Sequence, residues 1–189
     1  GRTGTQFFAR LFGDVVLDCD AFHEPGMPNF RKPGEILEAV RHFGWRHVFF
    51  DVFFPDRNVR GLSFLMNAGR LTPPQAREAL YPCRAEFLSS LSGSYYAESN
   101  GALIGLIDVL PSIFSHCRTI LMIRDPRTWL ASMYNSSYAS VKYSRTDYPY
   151  RLFHSRITPA LCSEDPYKAK WADMDWFQRN CWYWRRHYS

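Results

Sequence analysis

Residues 1–5, GRTGT, run directly into QFFARLF and set two glycines, two threonines and an arginine at what reads as the start of a helix. A glycine-containing turn at that place leaves several backbone N–H groups pointing outward with no internal partner. Together with the positive end of the helix dipole they form a seat for an anion. Gly1 and Gly4 permit the turn, Thr3 and Thr5 add hydroxyl donors, and Arg2 adds a permanent charge. The planar fork of a guanidinium suits phosphate or sulfate oxygens. The same residues also suit a plain tight turn. A Walker A loop is excluded, because GxxxxGK[ST] needs a lysine for the β- and γ-phosphates and a hydroxyl for Mg²⁺. Here Gln6 follows Thr5 and the first lysine is Lys32. The loop suits an anion handled without a metal.

A second constellation lies in TILMIRDPRTWLASMYN, residues 119–135. Arg124 stands where an apolar run ends, and Ser132 follows inside a helix-like stretch. A strand-turn-helix of this kind can bring a guanidinium and a hydroxyl onto one phosphate. Equally, Arg124 can pair with Asp125, and Ser132 can be a small helix residue. A third candidate is AFHEP, 21–25. The imidazole of His23 is of a type that titrates near neutrality and can take a proton from a hydroxyl; it can also be a packed, hydrogen-bonded core residue. The remaining histidines, 42, 47, 116, 154 and 187, lack ligand spacing with any cysteine or acid, so no metal is expected.

These residues need elements to hold them, and apolar periodicity supplies an alternation of strands and helices. A first helix is expected from about Thr5 to Gly13, then a short strand, VVLDCD (15–20). PGEILEAVRHFG follows as a helix with Pro33 in its first turn and Ile36, Leu37, Val40 and Phe43 on its inner face. RHVFFDVFF (46–54) is apolar on both faces, as a buried parallel strand should be. Two helices are expected within 61–92, the second after the Pro73–Pro74 pair, then a strand at SYYAES (94–99). Leu103, Ile107, Leu110 and Phe114 predict a helix that Pro111 bends or divides. RTILMI (118–123) gives the clearest strand pattern, followed by a helix at 126–135. Residues 136–170, rich in Tyr, Ser and Pro, read as an irregular lobe. A last helix, about 173–187, puts Phe177, Cys181, Trp184 and Tyr188 on one face. Such βα alternation implies a parallel sheet with helices on both sides and ligands at the carboxyl ends of the strands.

The 189 residues fit one domain, with 46% hydrophobic and 22% charged residues, a globular composition. Net charge is +5 but scattered, which favours anionic ligands and argues against a nucleic-acid interface. Five cysteines without CxxC spacing argue against a disulfide framework or a zinc site. No apolar run is long enough to span a membrane.

GRTGTQFFARLF and IRDPRTWLASMY together resemble the two nucleotide-binding motifs of the P-loop-like sulfotransferases, which use 3′-phosphoadenosine 5′-phosphosulfate (PAPS). AFHEP is similar to the FEP or FHEP segment after the family's first helix, YAESN to the strand end before its second motif, and CWYWRRHY (181–188) to a late helix. The resemblance implies an α/β fold with a central parallel β-sheet flanked by helices. It implies that Arg2, Thr3, Gly4, Thr5 and Gln6 cradle the 5′-phosphosulfate and that Arg124 and Ser132 bind the 3′-phosphate. It also places a carboxylate, Glu24, as the base that takes the acceptor's proton, with His23 second in that role and Arg2 steadying the leaving group. The alternative roles of Glu24 are to cap a helix or pair with an arginine. Glu98 is a further strand-end carboxylate able to orient Arg2 or the acceptor, with Ser99 and Asn100 near the nucleotide. Family members carry a strand immediately before the first loop and continue past the late helix, so the chain reads as one domain truncated at both ends with its first strand missing. The implied activity is sulfuryl transfer from PAPS, without a metal, to a hydroxyl or amine of a carbohydrate, lipid or other small acceptor. Alternatives are a P-loop nucleotide kinase-like phosphotransferase and a non-catalytic nucleotide- or sulfate-binding remnant.

Overall fold

The computed structural model describes residues 4–26, 32–135, 157–162 and 164–188. Helix α1 (Thr5–Val15) starts from Gly4 and leads into strand β1 (Cys19–His23). Helix α2 (Pro33–Phe49) follows, then 3₁₀ turns at Asp51–Phe53 and Pro55–Arg57. Helices α3 (Val59–Asn67) and α4 (Pro73–Ser89) lead to strand β2 (Tyr95–Ser99). After a 3₁₀ segment (Gly101–Leu106) come the short helix α5 (Leu110–Ile113), helix α6 (Pro126–Tyr134), a 3₁₀ turn (Pro159–Leu161) and helix α7 (Trp176–Tyr188). The fold is mixed α/β, mostly helical.

β1 and β2 pair in parallel, with Cys19 opposite Tyr95 and His23 opposite Ser99. Acidic residues around the start of β1 fix this register. The Asp20 carboxylate accepts the backbone N–H groups of Ser92 and Gly93 at 2.9 and 2.8 Å, and that of Asp18 accepts the N–H of Ser94 at 3.0 Å. Helix α1 lies on both strands, where Gly13 comes close enough to Ala21 that a methyl on it would sit 3.5 Å from the Ala21 Cβ.

The main core lies between α3, α4, the 3₁₀ segment and α5, where Leu62, Ala76, Leu80 and Leu106 are fully buried. Asn58 sets the start of α3: its Oδ1 accepts the Gly61 N–H at 2.9 Å, while Nδ2 donates to the carbonyls of Asp51 and Phe54 at 3.1 and 2.7 Å. The 3₁₀ segment can approach α3 because residue 105 is glycine. A Cβ there would lie 2.4 Å from the Ser63 carbonyl oxygen. A second cluster gathers Phe64, Ala68, Ile157, Cys162, Trp171 and Trp182. A third joins α6 to α7 through Trp129 and Leu130 packed on Cys181, Tyr183 and Trp184.

Several expectations from the sequence need correction. The first strand begins at Cys19, not Val15; α1 runs on through Val15, and Leu17 is exposed. Residues 46–54 form the end of α2 and a 3₁₀ turn rather than a buried strand. A buried strand needs cover on both faces, and here Val48 and Val52, four residues apart, are buried while Phe49, Phe50, Phe53 and Phe54 are exposed. Residues 118–123 form no strand: Ile120, Leu121, Met122 and Ile123 are all exposed, and among the described residues no strand pairs with them. The sheet is therefore two-stranded where a larger central one was expected. Leu37 is 74% exposed, since the buried stripe of α2 runs through Ala39, Phe43 and Val48 with a break in helical geometry at Gly44. In α7 Phe177 is exposed, while Asn180 and Trp182 are buried. Trp182 faces the second cluster and Cys181 the third, so two sides of this helix are covered. The expected helices at 5–13, within 61–92 and at 126–135 are present, as is the strand at 94–99. Of the expected lobe 136–170, residues 136–156 and 163 lie outside the described residues. Among the described residues no helix is long and apolar enough to cross a membrane.

Candidate functional site

The carboxyl ends of β1 and β2 carry a set of polar side chains. His23 closes β1 opposite Ser99, and its Nδ1 lies 3.2 Å from the Ser99 carbonyl oxygen. A carbonyl accepts and never donates, so Nδ1 carries the hydrogen and Nε2 is left to accept a proton. The chain then turns out of the sheet at Glu24, whose φ of 48° is left-handed. A non-glycine residue held in that region costs about 1 kcal/mol or more, and such residues gather at functional sites. The turn is held by the Glu24 N–H, which donates to the same Ser99 carbonyl at 3.2 Å. The Glu24 carboxylate lies 3.6 Å from Arg60 Nη2, on the first turn of α3.

Behind this lies a buried network. Glu98 Oε1 accepts from Arg84 Nη2 and from Asn100 Nδ2, each at 2.6 Å, and Oε2 accepts the Tyr96 hydroxyl. Arg84 is 4% exposed, and its guanidinium sits over the rings of Phe43 and Phe87. Burial first, then the Glu98 carboxylate, pushes the Tyr96 phenol well above its ordinary range, so it stays a neutral donor. Glu98 thus accepts hydrogen bonds from three side chains of its own network. Nearby, His47 Nε2–H donates to the Gly26 carbonyl at 3.2 Å, and its ring stacks on Phe43. Burial holds this imidazole below its usual value, against the smaller opposing effect of that hydrogen bond.

The residues of the first motif divide. Arg2 and Thr3 lie outside the described residues. Gly4 takes up the left-handed conformation, φ 84° and ψ 19°, that glycine adopts without steric cost, and Thr5 and Gln6 open α1. Among the described residues no side chain caps this helix start. The second motif sits on α6. Arg124 Nε donates to Thr128 Oγ1 at 3.1 Å, and the Arg124 carbonyl accepts from Trp184 Nε1 at 3.3 Å. Asp125 caps α6 and binds Arg127 at 2.8 Å, a pairing that holds its carboxyl down to about 2. Ser132 is half-buried within α6. The structure therefore brings His23, Glu24, Ser99 and Asn100 together, with α1 packed on the same two strands. Ser132 lies in α6, which packs against α7, and Arg124 lies just before that helix.

The chain matches no protein-family model, no curated protein and no solved structure.

Sequence reasoning overlooked Arg60 and Arg84. Arg84 had a legible signal: it falls on the α4 stripe of Ala76, Leu80 and Phe87, where a charged residue demands a buried partner. Arg60 gave none, since its nearness to Glu24 arises from the turns at 51–57. Taken together, the site offers a carboxylate, an imidazole whose second nitrogen meets no described residue, and two guanidinium groups. That set can take a proton from a hydroxyl and hold an anion beside it.

Proposed function

We propose that this chain is a sulfotransferase domain of the P-loop-like type, moving a sulfuryl group from PAPS to a hydroxyl or amine of a small acceptor. The observation that carries the reading is the placing of His23 and Glu24 at the carboxyl end of β1, beside Ser99 of the parallel strand β2, with α1 packed on both strands. Bound to the domain, PAPS supplies the activated SO₃ group and a bisphosphate leaving group. The residues present fit such an anion, because among the described residues no side chain caps the first turn of α1, and its entry residue is a left-handed glycine.

Each residue then has a defined task. The amides of Thr5 and Gln6 and the α1 dipole hold negative charge at the helix start, aided by Arg2 and Thr3. Arg124 and Ser132 supply the charge and hydroxyl for a second phosphate. The Glu24 carboxylate accepts the acceptor's proton, and Arg60 fixes the orientation of that carboxylate. His23 Nε2 is the alternative proton acceptor, its ring locked by Ser99.

Transfer of labelled sulfate from PAPS to a panel of hydroxylated sugars and lipids tests the proposal. The expected outcome is transfer by the native chain and a loss of about 100-fold or more in Glu24→Gln, in the range for removal of a general base. Labelled product from Glu24→Gln at the native rate would remove Glu24 from that role. Transfer of phosphate from ATP in place of sulfate from PAPS would refute the reading.

A further inference from the structure

The two candidate proton acceptors hang on one carbonyl. The Ser99 oxygen lies 3.2 Å from His23 Nδ1 and also accepts the Glu24 N–H at 3.2 Å. That oxygen belongs to the planar peptide unit joining Ser99 to Asn100, so whatever holds Asn100 sets where it points. Asn100 is held at both ends of its side-chain amide. Its Oδ1 accepts the Ala102 N–H at 2.8 Å, and its Nδ2 donates to Glu98 Oε1 at 2.6 Å, bridging over Ser99. Glu98 in turn is fastened to the helical core. Its side chain is 7% exposed, and its Oε1 accepts from Arg84 Nη2, which α4 holds over the rings of Phe43 and Phe87. The connection therefore runs from α4 through Glu98 and Asn100 to the Ser99 carbonyl. It ends on the two groups able to take a proton.

An imidazole with one nitrogen bonded to a carbonyl has its tautomer fixed, which leaves the other nitrogen to accept. Glu24 depends on the same oxygen in a different way. Its left-handed backbone, φ 48°, is secured by the hydrogen bond from its own N–H, and that backbone aims the carboxylate. Asn100 uses its amide on Glu98 and Ala102, so its influence on both groups passes through the Ser99 carbonyl. We propose that Asn100 is a positioning residue for sulfuryl transfer. Tied to Glu98, it holds the Ser99 carbonyl where that oxygen fixes the His23 tautomer and the turn at Glu24. The inference rests on the sulfotransferase reading for the reaction it serves, whereas the clamp on His23 is a property of the fold. A misplacement of about 1 Å at a reacting group can cost about 100-fold in rate. A residue that touches neither substrate nor proton acceptor can therefore govern turnover.

Nitrogen-15 NMR of the His23 ring, together with steady-state sulfate transfer from PAPS, tests this on the native chain, Asn100→Asp and Asn100→Ser. Asn100→Asp keeps the side chain's shape and its acceptor for Ala102, but sets a second carboxylate against Glu98 in place of the donor. Asn100→Ser also keeps an acceptor at the start of the 3₁₀ segment and adds no charge, yet is too short to reach Glu98. In the native chain the neutral His23 ring should carry its hydrogen on Nδ1, and both variants should show a mixture of the two tautomers. In both, kcat should fall about 10- to 100-fold while KM for PAPS stays within about twofold. A purely structural role would lower the urea midpoint and leave the tautomer of the folded chain unchanged, and that result would overturn the inference. An unaltered kcat in both variants would overturn it too, while sulfate transfer by the native chain kept the sulfotransferase reading standing. Mixed tautomers in the variants, with no sulfate transfer by the native chain to any acceptor, would keep the clamp on His23 and overturn the reading of the reaction.

Discussion

Glu98 divides its carboxylate among Arg84, Tyr96 and Asn100, and the energetic consequence falls on Arg84. Both members of the ion pair are more than nine-tenths buried. Removing one partner of such a pair strands the other charge, at a cost of about 3–5 kcal/mol. Arg84→Met should therefore lower unfolding stability by that amount in urea titrations. The double variant Arg84→Met/Glu98→Gln should recover most of it, because no bare charge remains. Additive losses would show that the pair is not coupled. His47 gives a pH signature. Its folded value is held below 6.5, whereas the unfolded chain titrates near 6.5. Below that pH the unfolded state binds a proton that the folded state refuses, so stability falls as pH drops from about 6.5 through the lower folded value. Replacing His47 by Gln, which keeps a donor for Gly26, should flatten the urea midpoint between pH 7.5 and 5.5. An unchanged slope would exclude His47 as its source. At this scale the sequence revealed residue types but not conformations. Glu24 was legible as a carboxylate after FH; its left-handed backbone and its Arg60 partner come from Ser99 and α3, which are distant in the chain.

Among the elements, α3 shows how one side chain organises a helix start. Asn58 is 2% exposed and meets backbone groups on both sides of the turn before α3. Asn58→Ala should cost about 2–3 kcal/mol, combining a lost cap with buried carbonyls left unmet. Gly105→Ala should cost about 1–3 kcal/mol by forcing the 3₁₀ segment away from Ser63. Urea unfolding would check both, and a loss below about 0.5 kcal/mol, the range of unremarkable surface changes, would contradict the packing described. The same elements explain which predictions from periodicity succeeded. Helices satisfy their own backbone, so the prolines at Pro33 and Pro73 were enough to mark where two of them start. Strands depend on neighbours, and an apolar β-branched run such as 118–123 states a propensity without naming a partner. For 46–54, two valines four residues apart were buried and the phenylalanines were not, a distinction that pattern alone could not make for so short a run.

The whole molecule places its paired strands between α1 and the α3–α4 core, with a tryptophan-rich α6–α7 unit formed from the later part of the chain. Its +5 charge favours an anionic ligand. The central claim is that the Gly4 helix start and Arg124 serve one bisphosphate nucleotide. Calorimetric titration with 3′,5′-adenosine bisphosphate, set against ATP with Mg²⁺, tests it most directly, using the native chain and Arg124→Ala. The account predicts binding of the bisphosphate in preference to ATP, weakened about tenfold or more by Arg124→Ala through the lost charge-assisted contact. Preference for ATP with Mg²⁺, or a bisphosphate affinity indifferent to Arg124, would contradict it.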